Sequence, residues 1–326
     1  MTTRLAVTLA FGILVTFLML ASNDTAAQTY PSRPVRLVVP IVPGGSTDSL
    51  ARLVAQKLTE KWGQPVTVEN KPGGSTIIAA QDVIRAKPDG YSLLLPINST
   101  MTINPALYAK LPYDVYNDFT HITQLANVPQ GIMVGTATGI TSIADLIARA
   151  KAKPESINYG TSDQATRLAM EMFAKMAGVK FTHVSYKGGA DVVRALLGGE
   201  IQAAFTAVAA ALPYIKTGQF RVLATGGKRR VAAIPDVPTL HEEGITNYEA
   251  SVWVGLSGPG GIPRDIVNKI NTDVAAVLQM PEVRDRIVAL GMEPVGNSPD
   301  AYVEIIRTET ARFQPLIKEL GLSGTE

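Results

Sequence analysis

A chain of 326 residues, 46% hydrophobic and 18% charged, carries enough apolar material for one large core or two medium ones. A net charge of +2, with no basic run longer than Lys228-Arg229-Arg230, gives no footing for a nucleic-acid partner. Cysteine is absent, which excludes disulfides, thiolate metal sites and a cysteine nucleophile.

At the N-terminus Arg4 precedes an uncharged apolar run over residues 5–21, followed by small residues ending in Ala26-Ala27. This is the pattern of a secretory signal peptide over residues 1–27. A retained membrane anchor is the alternative, because the run is long for a signal core. The mature chain is then expected in a bacterial periplasm.

The next segment, Val35-Arg36-Leu37-Val38-Val39, is a β-branched run, and Pro43-Gly44-Gly45-Ser46-Thr47-Asp48 follows it. Leu50, Leu53, Val54 and Leu58 then recur at helical spacing, so the segment reads strand, tight turn, helix. Such a turn can cradle an anion, since glycines admit close approach and the first-turn amides of a helix are unpaired. Further strands are expected at residues 66–69, 91–97, 131–135, 157–159, 182–186, 201–205 and 222–225. Helices are expected at 48–61, 75–86, 143–152, 164–177, 190–197, 263–279, 282–290 and 299–320, with Gly178, Gly198, Gly291 and Gly321 as stops. The alternation implies α/β architecture with parallel sheets covered on both faces.

Two lobes are expected rather than one. The chain after Pro263 has helical patterns and no strand of its own, so those helices must cover a sheet built earlier. The expected organisation is lobe 1 from residues 28–128 and 250–326 and lobe 2 from residues 129–249, with crossings within 120–134 and 249–259. A second strand-turn-helix, Asn158-Tyr159-Gly160-Thr161-Ser162-Asp163-Gln164, and a third, Tyr186-Lys187-Gly188-Gly189-Ala190, would add hydroxyls and amides from lobe 2. Trp253 fits either a cleft wall or a packed core.

Catalytic and cofactor motifs are missing. His121, His183 and His241 share no metal-ligand spacing, and the sequence has no nucleophile elbow, phosphate loop or dinucleotide fingerprint. No cofactor and no metal are therefore expected. An enzyme acting on an anionic substrate stays open as a competing class, with only Asp48, Asp163 and Lys187 as acid or base candidates near the turns.

The chain resembles the periplasmic receptors of tripartite tricarboxylate transporters, often called Bug or TctC-like proteins. The resemblance rests on Tyr30-Pro31-Ser32-Arg33-Pro34, Pro43-Gly44-Gly45-Ser46-Thr47-Asp48, Glu69-Asn70-Lys71-Pro72-Gly73-Gly74 and Pro88-Asp89-Gly90-Tyr91. It extends through Ile103-Asn104-Pro105, Asn158-Tyr159, Tyr186-Lys187-Gly188 and Pro235-Asp236-Val237-Pro238-Thr239, and so covers the whole mature chain. It implies a type II clamshell fold, no catalysis, and lobe closure on a small di- or tricarboxylate or related acid. Delivery to integral membrane permease subunits by a monomeric receptor is also implied, with a sensor feeding a signalling partner as the alternative.

Carried onto this chain, the ligand-binding set is Gly44, Gly45, Ser46, Thr47, Ser99, Thr161, Ser162, Asp163, Lys187 and Thr206. Ile41 stands where many relatives have an aromatic residue, which disfavours a flat aromatic ligand, and Thr206 stands where many have an Asp that would greet an amine. Arg167 and Lys187 are candidates for reading a second carboxylate. Asp48 is expected to face away from the ligand and brace a neighbouring loop, because its charge would repel a carboxylate.

Overall fold

The alternation of strand and helix closes into two sheets. The computed structural model describes residues 30–186 and 188–324; the expected signal segment 1–27 and Lys187 lie outside them. The chain runs β1 (Val35–Val39), α1 (Ser46–Trp62), β2 (Val66–Asn70), α2 (Ile77–Ile84) and β3 (Ser92–Leu94). A helical turn, Ser99–Ile103, leads into α3 (Asn104–Leu107), then β4 (Phe119–Val128), β5 (Gln130–Gly135), α4 (Ile143–Ala152), β6 (Asn158–Thr161) and α5 (Gln164–Ala177). After β7 (Thr182–Ser185), α6 (Gly189–Gly198), β8 (Ala203–Ala207), α7 (Val208–Lys216) and β9 (Phe220–Thr225), the chain returns through β10 (Val252–Pro259). It ends with α8 (Arg264–Gln279), α9 (Pro281–Ala289), β11 (Glu293–Pro294) and α10 (Pro299–Glu319).

One sheet has the order β11-β4-β10-β3-β1-β2 and the other β7-β6-β8-β5-β9. Neither is purely parallel, which corrects the expectation. β1 runs parallel to β2 and β3, whereas β10 is antiparallel to β3 and β4. In the second sheet β6 is parallel to β7 and β8, but β5 is antiparallel to β8 and β9. Besides the short β11, which pairs antiparallel with β4, the reversed strands β5 and β10 are the ones that enter from the other sheet: β4 leaves the first sheet and becomes β5 of the second across Pro129. The return is made by the segment joining β9 to β10. A strand arriving from the other sheet enters from the opposite end, and local helix-strand alternation cannot report that. Two further expectations shift: β11 is a strand beyond Pro263, and Gly199 rather than Gly198 takes the left-handed cap of α6 at φ 75°.

Burial follows the pleat. Val35, Leu37 and Val39 pack with Leu50, Val54 and Leu58 of α1 and Ile270 and Val274 of α8, while Val38, on the opposite face, packs with Val83 and Trp253. Trp253 is 1% exposed and sits edge-to-face on Tyr302 at 5.3 Å, so its role is core packing. In the second sheet Ile132, Val134, Tyr159 and Phe205 face α5, and Met133 and Ala204 face α6 and α7. Helix α10 joins both cores: Tyr302 and Ile306 belong to the first, and Phe313, Leu316 and Ile317 to the second. The sheets are therefore tied by two strand crossings and one continuous helix.

Candidate functional site

Every turn singled out in the sequence stands at the C-terminal end of a parallel strand, the edge at which open α/β sheets bind ligands. In the first sheet these ends are paired side by side, Val39 with Asn70 and Val38 with Leu94. In the second, Thr161 pairs with Ser185.

The turn after β1 has Gly44 at φ 95°, a conformation that glycine adopts without a Cβ penalty. Gly45 is the N-cap of α1 and supplies no side-chain acceptor. The first-turn amides are thus left for a ligand or water. Asp48 is buried, and its carboxylate is engaged by the protein itself. It accepts from Gly44 N at 3.0 Å, Arg52 Nε at 2.9 Å and Asn70 Nδ2 at 2.8 Å. Asn70 also donates to Ile41 O at 3.1 Å, so one carboxylate ties both ends of the turn to β2.

Burial alone would raise the Asp48 carboxyl, but the bonds from Arg52, Gly44 and Asn70 outweigh it and hold its pKa below the usual carboxylate value. The Asp48 contribution is therefore present above the unfolded value near 4 and fades as pH falls below it. Asp48→Asn is expected to cost about 2 kcal/mol near pH 7, the worth of one or two charge-assisted hydrogen bonds, with the deficit shrinking towards pH 3. Urea melts at the two pH values check this, and a deficit independent of pH overturns the assignment.

On the opposing side Asp163 caps α5, accepting Thr166 N at 2.9 Å, and Ser162 Oγ lies 3.3 Å from Asp163 Oδ2. Thr161 is buried, and its Oγ1 is 2.7 Å from His183 Nε2, so its hydroxyl serves the fold. Burial, seconded by the Arg167 charge, pushes His183 down to about 4, so the imidazole is neutral near pH 7. Arg167 is half-buried, and its charge is also felt at Tyr159, whose hydroxyl donates to Glu171 Oε1 at 2.6 Å. Thr206 is buried under the third turn, its Oγ1 3.9 Å from where a Cβ on Gly189 would stand.

A cavity of about 310 Å³ lies between the two sheets' loop edges. Ser75, Thr76, Ile97, Ser99 and Asn104 line it on one side, and Ser162, Asp163, Gln164 and Ser185 on the other. Three members of the expected set, Ser99, Ser162 and Asp163, are brought together here. Gly44, Gly45, Ser46 and Thr47 stand on the neighbouring strand end, and Thr161 and Thr206 are buried in the second sheet, Thr161 against His183 and Thr206 under Gly189. Sequence reasoning missed Ser75, Thr76, Asn104, Gln164 and Ser185. The positions of Ser185 and Gln164 were readable, since one ends a strand beside Thr161 and the other opens α5; Asn104 became a wall residue only when α3 folded back. The described lining holds hydroxyls, two amides and one carboxylate, and no lysine or arginine. Such a wall can hydrogen-bond a polar guest on several sides.

A family model described as "Tripartite tricarboxylate transporter family receptor" matches residues 50–322. Among solved structures, Rpa4515 of R. palustris with adipate is 35% identical with a TM-score of 0.81, over 90% of this chain and 99% of that one. The periplasmic binding protein BugD is 30% identical with a TM-score of 0.77, over 90% and 99%. MatC from Rhodopseudomonas palustris with bound malate is 27% identical with a TM-score of 0.77, over 88% and 100%. The match over residues 50–322, together with the two-sheet fold and its facing strand-end turns, places this chain in the tripartite tricarboxylate transporter receptor family.

Proposed function

We propose that this protein is a periplasmic solute receptor that closes on a small carboxylated acid without transforming it and passes it to a tripartite tricarboxylate-type membrane permease. The observation that carries the reading is the polar cavity lined by the Ser75-Thr76 turn of the first sheet and the Ser162-Asp163 turn of the second, each opening a helix. The adipate and malate held by two relatives support a carboxylate as the guest. Lobe 1 is assigned to residues 28–128 and 250–326, lobe 2 to residues 129–249, and residues 1–27 to an export signal. Gly44, Gly45, Ser46 and Thr47 would grip one carboxylate from lobe 1, and Ser162 with the amides around Asp163 from lobe 2. Lys187 belongs to the same proposed set. Thr161 and Thr206 would hold the lobe 2 turns in place from behind, and Ser99 would face the guest.

Magnitudes explain why both lobes are needed. A carboxylate gains roughly 0.3–1 kcal/mol from an exposed helix dipole, or about 2 kcal/mol when partly buried. Each charge-assisted hydrogen bond nets about 1.5–3 kcal/mol. Micromolar affinity needs about 8 kcal/mol. One open turn falls short of that, whereas two turns that also exclude water reach it.

Closure is expected to raise the melting temperature and reduce the radius of gyration together when the right acid is added. A thermal-shift screen of mono-, di- and tricarboxylates, followed by small-angle scattering with the best of them, tests this. Saturation without compaction overturns the clamshell mechanism, and a product released on incubation overturns the receptor reading.

A further inference from the structure

The turn between β2 and α2 carries the most improbable backbone in the described chain. Gly73, Gly74, Ser75 and Thr76 have φ of 119°, 51°, 49° and 79° in succession. The last is a β-branched residue in the left-handed region, where its own sterics oppose it. Its neighbours hold it there. Asn104 Nδ2 donates to Ser75 O at 2.8 Å, and Thr100 Oγ1 donates to Thr76 Oγ1 at 2.8 Å. Behind them Tyr113 donates to Thr100 O at 2.7 Å, and Thr76, Thr100, Asn104 and Tyr113 are all buried.

The direction of these bonds matters. Thr76 Oγ1 accepts from Thr100, and Asn104 Nδ2 stands 3.5 Å away as a second, weaker donor. A hydroxyl has two acceptor sites and one hydrogen. Its acceptor side is thus occupied by the protein, while no acceptor among the described residues takes its hydrogen. Thr76 is 7% exposed and lines the cavity. A buried hydroxyl hydrogen without a partner is costly, so a guest with an oxygen acceptor at that place is favoured over an alkyl one.

We infer that the Ser75-Thr76 turn is the specificity wall of the cleft, with Thr76 Oγ1 donating to a second oxygen-bearing group at the far end of the ligand, and Ser75 offering its own hydroxyl beside it. The assignment rests on the carboxylate-receptor reading. It narrows the ligand class to acids with a carboxylate at one end and a carboxylate, carbonyl or hydroxyl at the other. It also gives the strained turn a purpose: the left-handed run brings two consecutive side chains to the cavity.

The test is isothermal titration of the mature chain with adipate, 6-hydroxyhexanoate and hexanoate, and with succinate and butanoate as the shorter set. The unaltered protein is expected to favour the acids with a second oxygen group at least tenfold over the alkyl acid of equal length. Thr76→Gly suits the left-handed φ and lacks the hydroxyl, and Thr76→Val keeps the branched shape without it. Both are expected to reduce that preference to within about threefold, while Thr76→Ser retains it. Equal behaviour of Thr76→Gly and Thr76→Ser overturns the inference alone. Absence of heat with every acid overturns the receptor reading and the inference with it.

Discussion

Ser162→Asp is expected to abolish acid binding while leaving the fold intact. Ser162 is half-buried between β6 and α5 and faces the cavity across from Ser99 and Asn104. A carboxylate placed there meets the ligand's own carboxylate at short range. Two like charges about 4 Å apart repel by about 4 kcal/mol at an effective dielectric of 20. That is on the order of a thousandfold in affinity. The new charge stands beside the N-terminus of α5, where a negative group suits the helix dipole, but also beside the Asp163 carboxylate, 3.3 Å from the Ser162 Oγ, so the fold should hold with a lowered melting temperature. Ser162→Ala removes one donor and should cost about three- to tenfold. Titration calorimetry beside a thermal melt checks both; micromolar binding of any carboxylate by Ser162→Asp removes Ser162 from the proposed site.

The second large effect is loss of stability in mild acid. His121 is buried, with Nε2 2.9 Å from Val115 O and Nδ1 3.1 Å from Ser257 Oγ. A carbonyl can only accept, so Nε2 carries the proton and Nδ1 accepts a hydrogen bond from the Ser257 hydroxyl. Desolvation pushes the imidazole down to about 4, although the bond to Val115 acts the other way. The unfolded chain binds this proton near pH 6.5. Stability from keeping His121 neutral is therefore present above 6.5 and lost as pH falls towards 4, by about 3 kcal/mol for a shift of this size. His183, also near 4, acts in the same direction.

Glu309 on α10 opposes them. Burial raises it to about 8, against the bond from Thr102 and the Arg312 charge, so its contribution fades as pH rises from about 4.5 to 8. Urea melts from pH 4 to 8 should show an acid limb that His121→Gln flattens. An unchanged limb in that variant places the acid sensitivity elsewhere.

Much of this molecule is written locally. β1 is found at Val35–Val39, and α4 and α5 at Ile143–Ala152 and Gln164–Ala177, on the residues that periodicity and caps indicate. These signals are legible because a capping side chain such as Asp163, or a stripe such as Leu168, Met172 and Phe173, acts within one or two turns of itself. The Pro-Gly-Gly turn and the Asp163 turn were visible for the same reason.

Other features are decided between distant parts of the chain. β4 and β10 read only as extended crossings, since their partners are each other, from Val252 against Val128 to Pro259 against Phe119. The helix expected from residue 75 begins at Ile77, because Asn104 and Thr100 hold Ser75 and Thr76 in a conformation their own side chains oppose. Residue order thus determined the elements, the polar turns and the family, all carried by short-range sterics and pattern. The direction of the crossing strands, the bridging of two cores by α10, and the meeting of Thr76 with Ser162 across one cavity were left to tertiary structure. Their energies belong to pairs of segments, and no single segment encodes its partner.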